Sequence, residues 1–437
     1  MRLPAVLAAM AALAVAAPAP AAPNAAERKM VATVEADHAR NLKLLEELVL
    51  VNSGTMNLAG VERVGQMLRP EFEQLGFTVR WIPMAKVGRA GHLIATHKGN
   101  GKGKRILLIG HLDTVFEPDS PFQGWKRDGD IVEGPGVGDM KGGDVVIVAA
   151  LRAMHAAGTL KPADITVVLT GDEEKPGAPL AEARADLIAA GRASDVALDF
   201  EGLSRIGGRD VGSIARRSST SWTIRAKAKS GHSSAVCKPA AGCGAIYELA
   251  RIVDEFRREL PEPNLTYNVG VILGGSQAEL NAGDTGGQAS GKPNIIAAEA
   301  LARGDIRTLS EEQEQRVRAR MKAIVGRHLD LAEAEIEFSD DGYPPMAPTA
   351  GNKALLAKLN QVNATLGLPE MPAGDPANRG AGDISFVAFI DGLVGLGMAG
   401  EGSHAPGETA DLKSLDLQAK RAALLITRLS KEPRPRP

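Results

Sequence analysis

The sequence predicts an α/β fold with a smaller α+β domain inserted into it. Three observations carry that prediction. Short, wholly apolar runs such as RILLIG (105–110) and ITVVLT (165–170) alternate with helical patterns, as in a sheet covered on both faces. From about Ser213 the strand-like runs alternate apolar and polar residues, in a β-α-β-β-α-β order typical of a ferredoxin-like unit. From about Pro344 the first pattern returns. A chain of 437 residues also exceeds one ordinary small domain. The expected division is a leader over 1–22, a larger domain split between 23–213 and 344–437, and an insert over 214–343.

The leader, MRLPAVLAAMAALAVAAPAPAAPNAAE, has one Arg, an Ala/Leu/Val run, then small residues offering A-x-A sites near Ala21. That is the pattern of an export signal, so the protein is expected to be secreted or periplasmic. The run is too short to span a membrane comfortably, and no later run is long and apolar enough. Residues 28–50 predict one amphipathic helix through Leu42, Leu45 and Val49, and VERVGQMLRPEFEQLG a second that ends at Gly76. FTVRWI, HLIATHKG and RILLIG predict strands, KGGDVVIVAALRAMHAAG a helix, ITVVLT a strand, APLAEARADLIAAG a helix and DVALDF a strand. In the insert, WTIRAKAK, LTYNVGVILGG, EALARGDIR and AEIEF predict strands. AIYELARIVDEFRREL and SEEQEQRVRARMKAIVGRHL predict its helices. The helix NKALLAKLNQVNATLG, then DISFVAFIDG and LVGLGM, complete the larger domain. Export leaves two readings of Cys237 and Cys243 in VCKPAAGC, a short-loop disulfide or two free buried thiols. They are no zinc site, because no second ligand pair accompanies them.

Composition narrows the function. Apolar residues make up 44% and charged residues 24%, as in a soluble globular protein. The formal net charge of -2 gives no basic surplus for nucleic acid or an anionic membrane, and 3% aromatics leaves little to stack bases. The polar residues are more informative. RILLIG leads into His111 and Asp113, ITVVLT into Asp172, Glu173 and Glu174, VALDF into Glu201, and LVGLGM through a Gly-rich loop to His404. Ligands of open α/β sheets gather at the carboxyl ends of strands, so these residues meet at one sheet edge. Asp139 in GPGVGDMKGGD joins them just before a helix. Carboxylates crowded in this way need positive charge at their centre. Asp139, Glu174 and Glu201 with one further anion balance two divalent cations. Glu173 is then left to take a proton from water and hand it to a leaving amine. ALDFEG puts Asp199 and Glu201 on one strand face, and Glu201 is favoured as ligand because it sits where the chain leaves the sheet.

GHLDTV, GVGDMKGG, GDEE, the Glu after VALDF and the His of GSHAPGE together resemble the dinuclear zinc exopeptidase and deacylase family. That family includes glutamate carboxypeptidase, aminoacylase, acetylornithine deacetylase and succinyl-diaminopimelate desuccinylase. The resemblance implies a zinc-exopeptidase-like catalytic domain with an inserted ferredoxin-like lid and dimerisation domain. It implies two Zn²⁺ per subunit, with Co²⁺ or Mn²⁺ as alternatives. His111, Asp139 and Glu201 would hold one, and Asp139, Glu174 and His404 the other. It further implies that Asp113 orients His111, that Glu173 is the general base and acid, and that the Asp139–Met140 peptide is cis. His232 in SGHS would polarise the scissile carbonyl in a partner subunit, while Asn294 and Arg307 would hold substrate carbonyl and carboxylate groups. The substrate implied is a small peptide or an N-acyl amino acid, with a homodimer formed through the lid.

The chain also departs from the family pattern. GGSQAELNAGDTGGQASGKPN is longer than the usual connection, DDGYPP with Tyr343 replaces a basic residue of glutamate-releasing members, and EKPGAPL replaces the common Gly-Ser. These departures count against specificity for a C-terminal glutamate. The activity that the resemblance implies is carboxypeptidase-like, in the manner of glutamate carboxypeptidase: cleavage of an amide next to a free carboxylate. The alternatives are N-acyl-amino-acid deacylation and a non-catalytic periplasmic binding protein on the same fold. No G-x-S-x-G elbow supports a serine hydrolase, and no Walker or dinucleotide fingerprint supports nucleotide binding.

Overall fold

The computed structural model describes residues 22–378 and 380–434, so the expected export signal lies almost wholly outside the described residues. Helix α1 (Ala25–Ala36) starts from a capping box in which the Asn24 side chain accepts from Glu27 N–H at 3.0 Å and the Glu27 carboxylate from Asn24 N–H at 2.9 Å. Helix α2 (His38–Val49) follows directly. The single helix expected over 28–50 is thus two. The break falls at Asp37, a weak helix former, where the backbone leaves helical geometry with ψ 4°. Next come α3 (Leu58–Glu73), β1 (Thr78–Pro83), β2 (Gly91–His97), β3 (Arg105–His111), β4 (Lys126–Asp128), β5 (Ile131–Glu133) and α4 (Lys141–Ala156). The sequence continues with β6 (Asp164–Thr170), α5 (Leu180–Ala183), α6 (Ala185–Arg192), β7 (Val196–Asp199), β8 (Ser204–Ile206) and β9 (Arg209–Val211). The insert holds β10 (Thr220–Ala228), β11 (Gly231–His232), α7 (Ala245–Glu259), β12 (Thr266–Gly275), β13 (Gln277–Leu280), β14 (Gly287–Ser290), β15 (Ile295–Ile296), β16 (Glu299–Arg307), α8 (Glu311–Val325) and β17 (Ala332–Phe338). The chain ends with α9 (Ala350–Thr365), β18 (Asp391–Val394), β19 (Gly400–Glu401), β20 (Thr409–Asp411) and α10 (Leu412–Leu429).

The larger sheet has the order β1-β2-β6-β3-β7-β18. Its centre, β6, β3, β7 and β18, is parallel, and β2 runs against both of its neighbours. The apolar runs have a simple cause. Leu108, Val167 and Leu198 point into a core with α1, α4 and α10, whereas Leu107, Val168 and Ala197 point into a second core with Leu187, Ile384 and Val387. Alternate residues face opposite sides and both sides are buried, so the middles of these strands are almost wholly apolar and charged residues fall at their ends. The insert builds a separate antiparallel sheet, β12-β16-β10-β17. Helices α7 and α8 cover one face of it over Trp222, Ile224, Phe256, Val317 and Met321.

Several features depart from the sequence reading. DISFVAFIDG is not one regular element, since Asp383–Val387 is a 3₁₀ turn and only its end enters β18. A small sheet β19-β20-β5-β4 is added, and the long insert loop folds back on itself as the hairpin β13–β14. Cys237 and Cys243 are joined as a disulfide. Among the described residues no helix is long and apolar enough to cross a membrane.

Trp222 is fully buried and meets Phe256 edge-on at 5.8 Å. Trp222→Ala should therefore cost about 3–5 kcal/mol in denaturant unfolding of the insert, the usual range for emptying an aromatic core site. A loss below about 1 kcal/mol would mean that the insert core does not depend on this ring.

Candidate metal centre

The carboxyl ends of β3, β6 and β7 bring His111, the Glu173–Glu174 pair and Glu201 to one edge of the larger sheet. Asp139 arrives from the loop before α4 across a cis Asp139–Met140 peptide, and His404 from the loop between β19 and β20. His404 has φ +66°, a left-handed conformation that a non-glycine residue adopts at a cost. Gly171 has a steric role. A Cβ there would lie 2.2 Å from the Gly91 carbonyl oxygen, so the chain can turn out of β6 only with glycine at that point.

Two sets of ligand atoms result. His111 Nε2 lies 3.1 Å from Asp139 Oδ1 and 3.4 Å from Glu201 Oε1. His404 Nε2 lies 3.1 Å from both Asp139 Oδ2 and Glu174 Oε2. Asp139 thus gives one oxygen to each set. Glu173 stands beside them, with its carboxylate within 4.8 Å of ligand atoms of His111 and Glu174. Asp199 belongs to neither set. It is buried, accepts the Glu201 N–H at 3.2 Å, and stands 3.9 Å from Arg216.

These residues fit divalent metal ions. Metal–ligand bonds of about 2.0–2.1 Å at a tetrahedral centre set ligand atoms roughly 3.3 Å apart, close to the separations here. His111 Nδ1–H donates to the Asp113 main-chain carbonyl at 3.0 Å, which leaves Nε2 facing the Asp139 and Glu201 carboxylates. A metal ion between these atoms would take the place of the Nε2 proton, since an imidazole ligates only when that nitrogen is deprotonated. Glu174 Oε1 is buried without a hydrogen-bond partner. The electrostatics agree. Burial pushes the Glu174 pKa up to about 7 against the pull of His404. Hydrogen bonds to Asp139 and Glu174 raise His404 to about 11. Burial opposes protonation of His111, yet Asp113, Asp139 and Glu201 together raise it well above the ordinary range. Burial also drives Glu173 well above the usual carboxylate range, with Glu201, Asp383 and Glu174 adding to it.

Asp113 meets His111 with two groups. Its carboxylate stands 3.5 Å from His111 Nδ1, and it is the main-chain carbonyl that takes the hydrogen bond. The fully buried carboxylate instead accepts Thr55 Oγ1–H at 2.6 Å, Glu173 N–H at 3.0 Å and Glu174 N–H at 3.1 Å. One aspartate therefore fixes the backbone of both glutamates. Arg307 lines a cavity of about 430 Å³ together with Glu173, Glu174, Ser219, Tyr343 and His404. His232 and Asn294 do not line that cavity. They lie side by side on the insert, both exposed, where Ser233 N–H donates to Asn294 O at 2.9 Å.

Sequence reasoning missed several residues here. Glu408 is fully buried and accepts N–H groups of Gly136 at 3.1 Å, Gly138 at 2.7 Å and Asp139 at 2.9 Å, so it holds the loop that presents Asp139. Burial and the neighbouring Asp139 push its pKa up to about 7, while those N–H groups pull the other way. Arg184, also fully buried, binds Asp172 at 2.6 Å, Asp383 at 2.7 Å and Tyr343 Oη at 2.7 Å beneath Glu173. Arg216 donates to the Gly380 carbonyl at 2.9 Å and to that of Ala381, and stands 3.7 Å from Glu201.

Residues 107–428 match the model of peptidase family M20/M25/M40. Among curated proteins, carboxypeptidase G2 of Pseudomonas sp. (strain RS-16) is 28% identical over 88% of this chain and 88% of its own length. A succinyl-diaminopimelate desuccinylase of Acidiphilium cryptum is 26% identical over 88% of this chain and 97% of its own. Among solved structures, a Staphylococcus aureus tripeptidase superposes with TM-score 0.67 at 19% identity, covering 90% of this chain and 99% of that one. A dinuclear metal-binding peptidase of Bacillus subtilis superposes with TM-score 0.63 at 18% identity, covering 91% and 99%.

Glu408→Ala should weaken metal retention roughly 10- to 100-fold, the usual effect of removing a group that orients a ligand. Competition with a chelator, read as metal content, checks this. Retention equal to the wild type would show that the Asp139 loop holds its shape without Glu408.

Proposed function

The chain belongs to peptidase family M20/M25/M40 and is a metallohydrolase; from that premise we propose an exported, zinc-dependent enzyme that cleaves an amide bond next to a free carboxylate. The observation that carries this reading is the position of Glu173. It sits against two ligand sets that share Asp139, in a cavity also lined by Arg307. Zinc held by His111, Asp139 and Glu201, and by Asp139, Glu174 and His404, would polarise the scissile carbonyl and acidify a water beside it. Glu173 takes a proton from water on its carboxylate and delivers it to the leaving nitrogen. Arg307 offers a planar guanidinium whose N–H groups suit a substrate carboxylate. A Ser-lined wall of Ser219, Ser221 and Ser339 favours small polar groups next to that carboxylate. Carboxypeptidase-type release and N-acyl-amino-acid deacylation use the same machinery and differ in which side of the amide carries the recognised group.

Export rests on the leader pattern, and the disulfide suits an oxidising compartment. The dimer rests on the insert. His232 and Asn294 lie off the cavity of their own chain, and β12 is an edge strand with Ile272 exposed beside Ile246 and Tyr247 of α7. A second copy pairing there would cover that edge and bring its His232 to this cavity. An imidazole N–H near the developing oxyanion supplies on the order of 3 kcal/mol.

A screen of dipeptides and N-acyl amino acids, with and without chelator, tests the main reading. The purified protein should hold about two zinc ions per chain and lose hydrolysis on chelation. Glu173→Gln should keep the metal and lose orders of magnitude in kcat, whereas Glu174→Gln should lose metal. Full activity after exhaustive metal removal would sink the reading. Mixing inactive Glu173→Gln with inactive His232→Ala under subunit exchange should restore part of the activity. A monomeric enzyme whose mixed variants stay inactive would rule out a role for His232 across subunits.

A further inference from the structure

We infer that Tyr343 is a positioning residue that ties the base of the insert to the main chain of Glu173. Only the importance of Glu173 is taken from the reading above; the contact itself is geometric. Tyr343 lies five residues past the end of β17, where the chain returns from the insert to the larger sheet. Its backbone pairs with Ser219, just before β10, with Ser219 N–H donating to Tyr343 O at 3.0 Å and Tyr343 N–H donating to Ser219 O at 2.9 Å. The side chain is buried at 8% exposure, with its ring edge-on to Phe386 at 4.9 Å.

The direction of its hydrogen bonds is fixed by chemistry. Arg184 can only donate, so at 2.7 Å the Tyr343 oxygen accepts from it. The single hydroxyl proton is then free for the Glu173 carbonyl oxygen at 2.9 Å. Arg184 itself is locked by Asp172 and Asp383. On its other side Glu173 has its N–H held by Asp113 at 3.0 Å. The residue is therefore gripped at both its amide and its carbonyl. One grip comes from the larger sheet and the other from the doorway of the insert. The Tyr343 hydroxyl thus joins the doorway of the insert to the main chain of Glu173. The tie also explains why a tyrosine occupies a position that the sequence reading could only mark as unusual.

The test compares the metal-loaded wild type with Tyr343→Phe and Phe386→Leu. Tyr343→Phe keeps the ring and removes the tie. Phe386→Leu disturbs the packing of the same ring and keeps the tie. In Tyr343→Phe, kcat should fall roughly 10- to 100-fold with KM within about twofold, as when a reacting group is misplaced without loss of substrate binding. Deuterium exchange of the peptide spanning 171–177 should rise in the same variant, with no substrate present. Phe386→Leu should lower the thermal midpoint and leave kcat and that exchange unchanged. Unchanged exchange in Tyr343→Phe overturns the tie. Raised exchange with unchanged kcat, or the same kcat loss in Phe386→Leu, overturns the positioning role. A wild type that hydrolyses no amide would defeat the functional reading, and the exchange comparison would then decide the tie alone.

Discussion

Repulsion among carboxylates at one sheet edge is the constraint on which this structure turns. Asp113, Asp139, Glu173, Glu174, Asp199, Glu201 and Glu408 gather around the ends of three parallel strands. Left unpaired, so many charges out of water would oppose folding. The chain does not treat them alike. Asp113 and Glu408 accept from a hydroxyl and from backbone N–H groups, so dipoles belonging to the fold meet much of their charge, with His111 beside Asp113 as well. Asp199 is met by one N–H and the distant guanidinium of Arg216. Asp139, Glu174 and Glu201 are given imidazoles instead, with an oxygen of Glu174 left bare. At these two sets an incoming cation would supply the positive charge that the fold does not, while Asp199 Oδ2 is also left without a hydrogen-bond partner.

The same division explains the rigidity around Glu173. A group that moves protons gains nothing from being bound too firmly at its carboxylate. Here the restraint is applied to the peptide on either side of it, by Asp113 and Tyr343, while the side chain remains at the cavity wall. Preorganised main chain beneath a carboxylate at the cavity wall is one way of placing a group accurately without altering its chemistry.

Much of this was legible in the sequence, for physical reasons. Strands buried on both faces carry few charged residues, so the charged and imidazole groups that follow RILLIG, ITVVLT and VALDF mark the sheet edge and include His111, Glu173, Glu174 and Glu201. Asp37 shows one limit. A single weak helix former inside a strong amphipathic pattern splits a helix without leaving a periodicity signal. Glu408 shows another, because its partners are backbone N–H groups, which every residue has and no pattern marks. Arg184 sits in a helical run where an arginine reads as a solvated face, yet it is fully buried among partners 12, 159 and 199 residues away. The strands of the small sheet are two or three residues long, too short to carry alternation. At Asp113 the main-chain carbonyl stands nearer to His111 Nδ1 than the carboxylate does, a distinction that sequence does not carry.

The way the chain enters and leaves its insert has an evolutionary consequence. Arg216 pairs with Met346 and Ser219 with Tyr343, so the outgoing and returning segments run antiparallel, bonded to each other. To the larger sheet, everything from 220 to 342 is a single long hairpin tip. Whatever folds at that tip leaves the register of the larger sheet untouched, provided it ends where it began. A graft, an extension such as the β13–β14 hairpin, or a wholly different cap can be exchanged there as a cassette, with the ligand-bearing edge inherited intact. Diversification of what is recognised can thus proceed on one side of two pairs of backbone hydrogen bonds while the residues that could hold metal stay unchanged on the other.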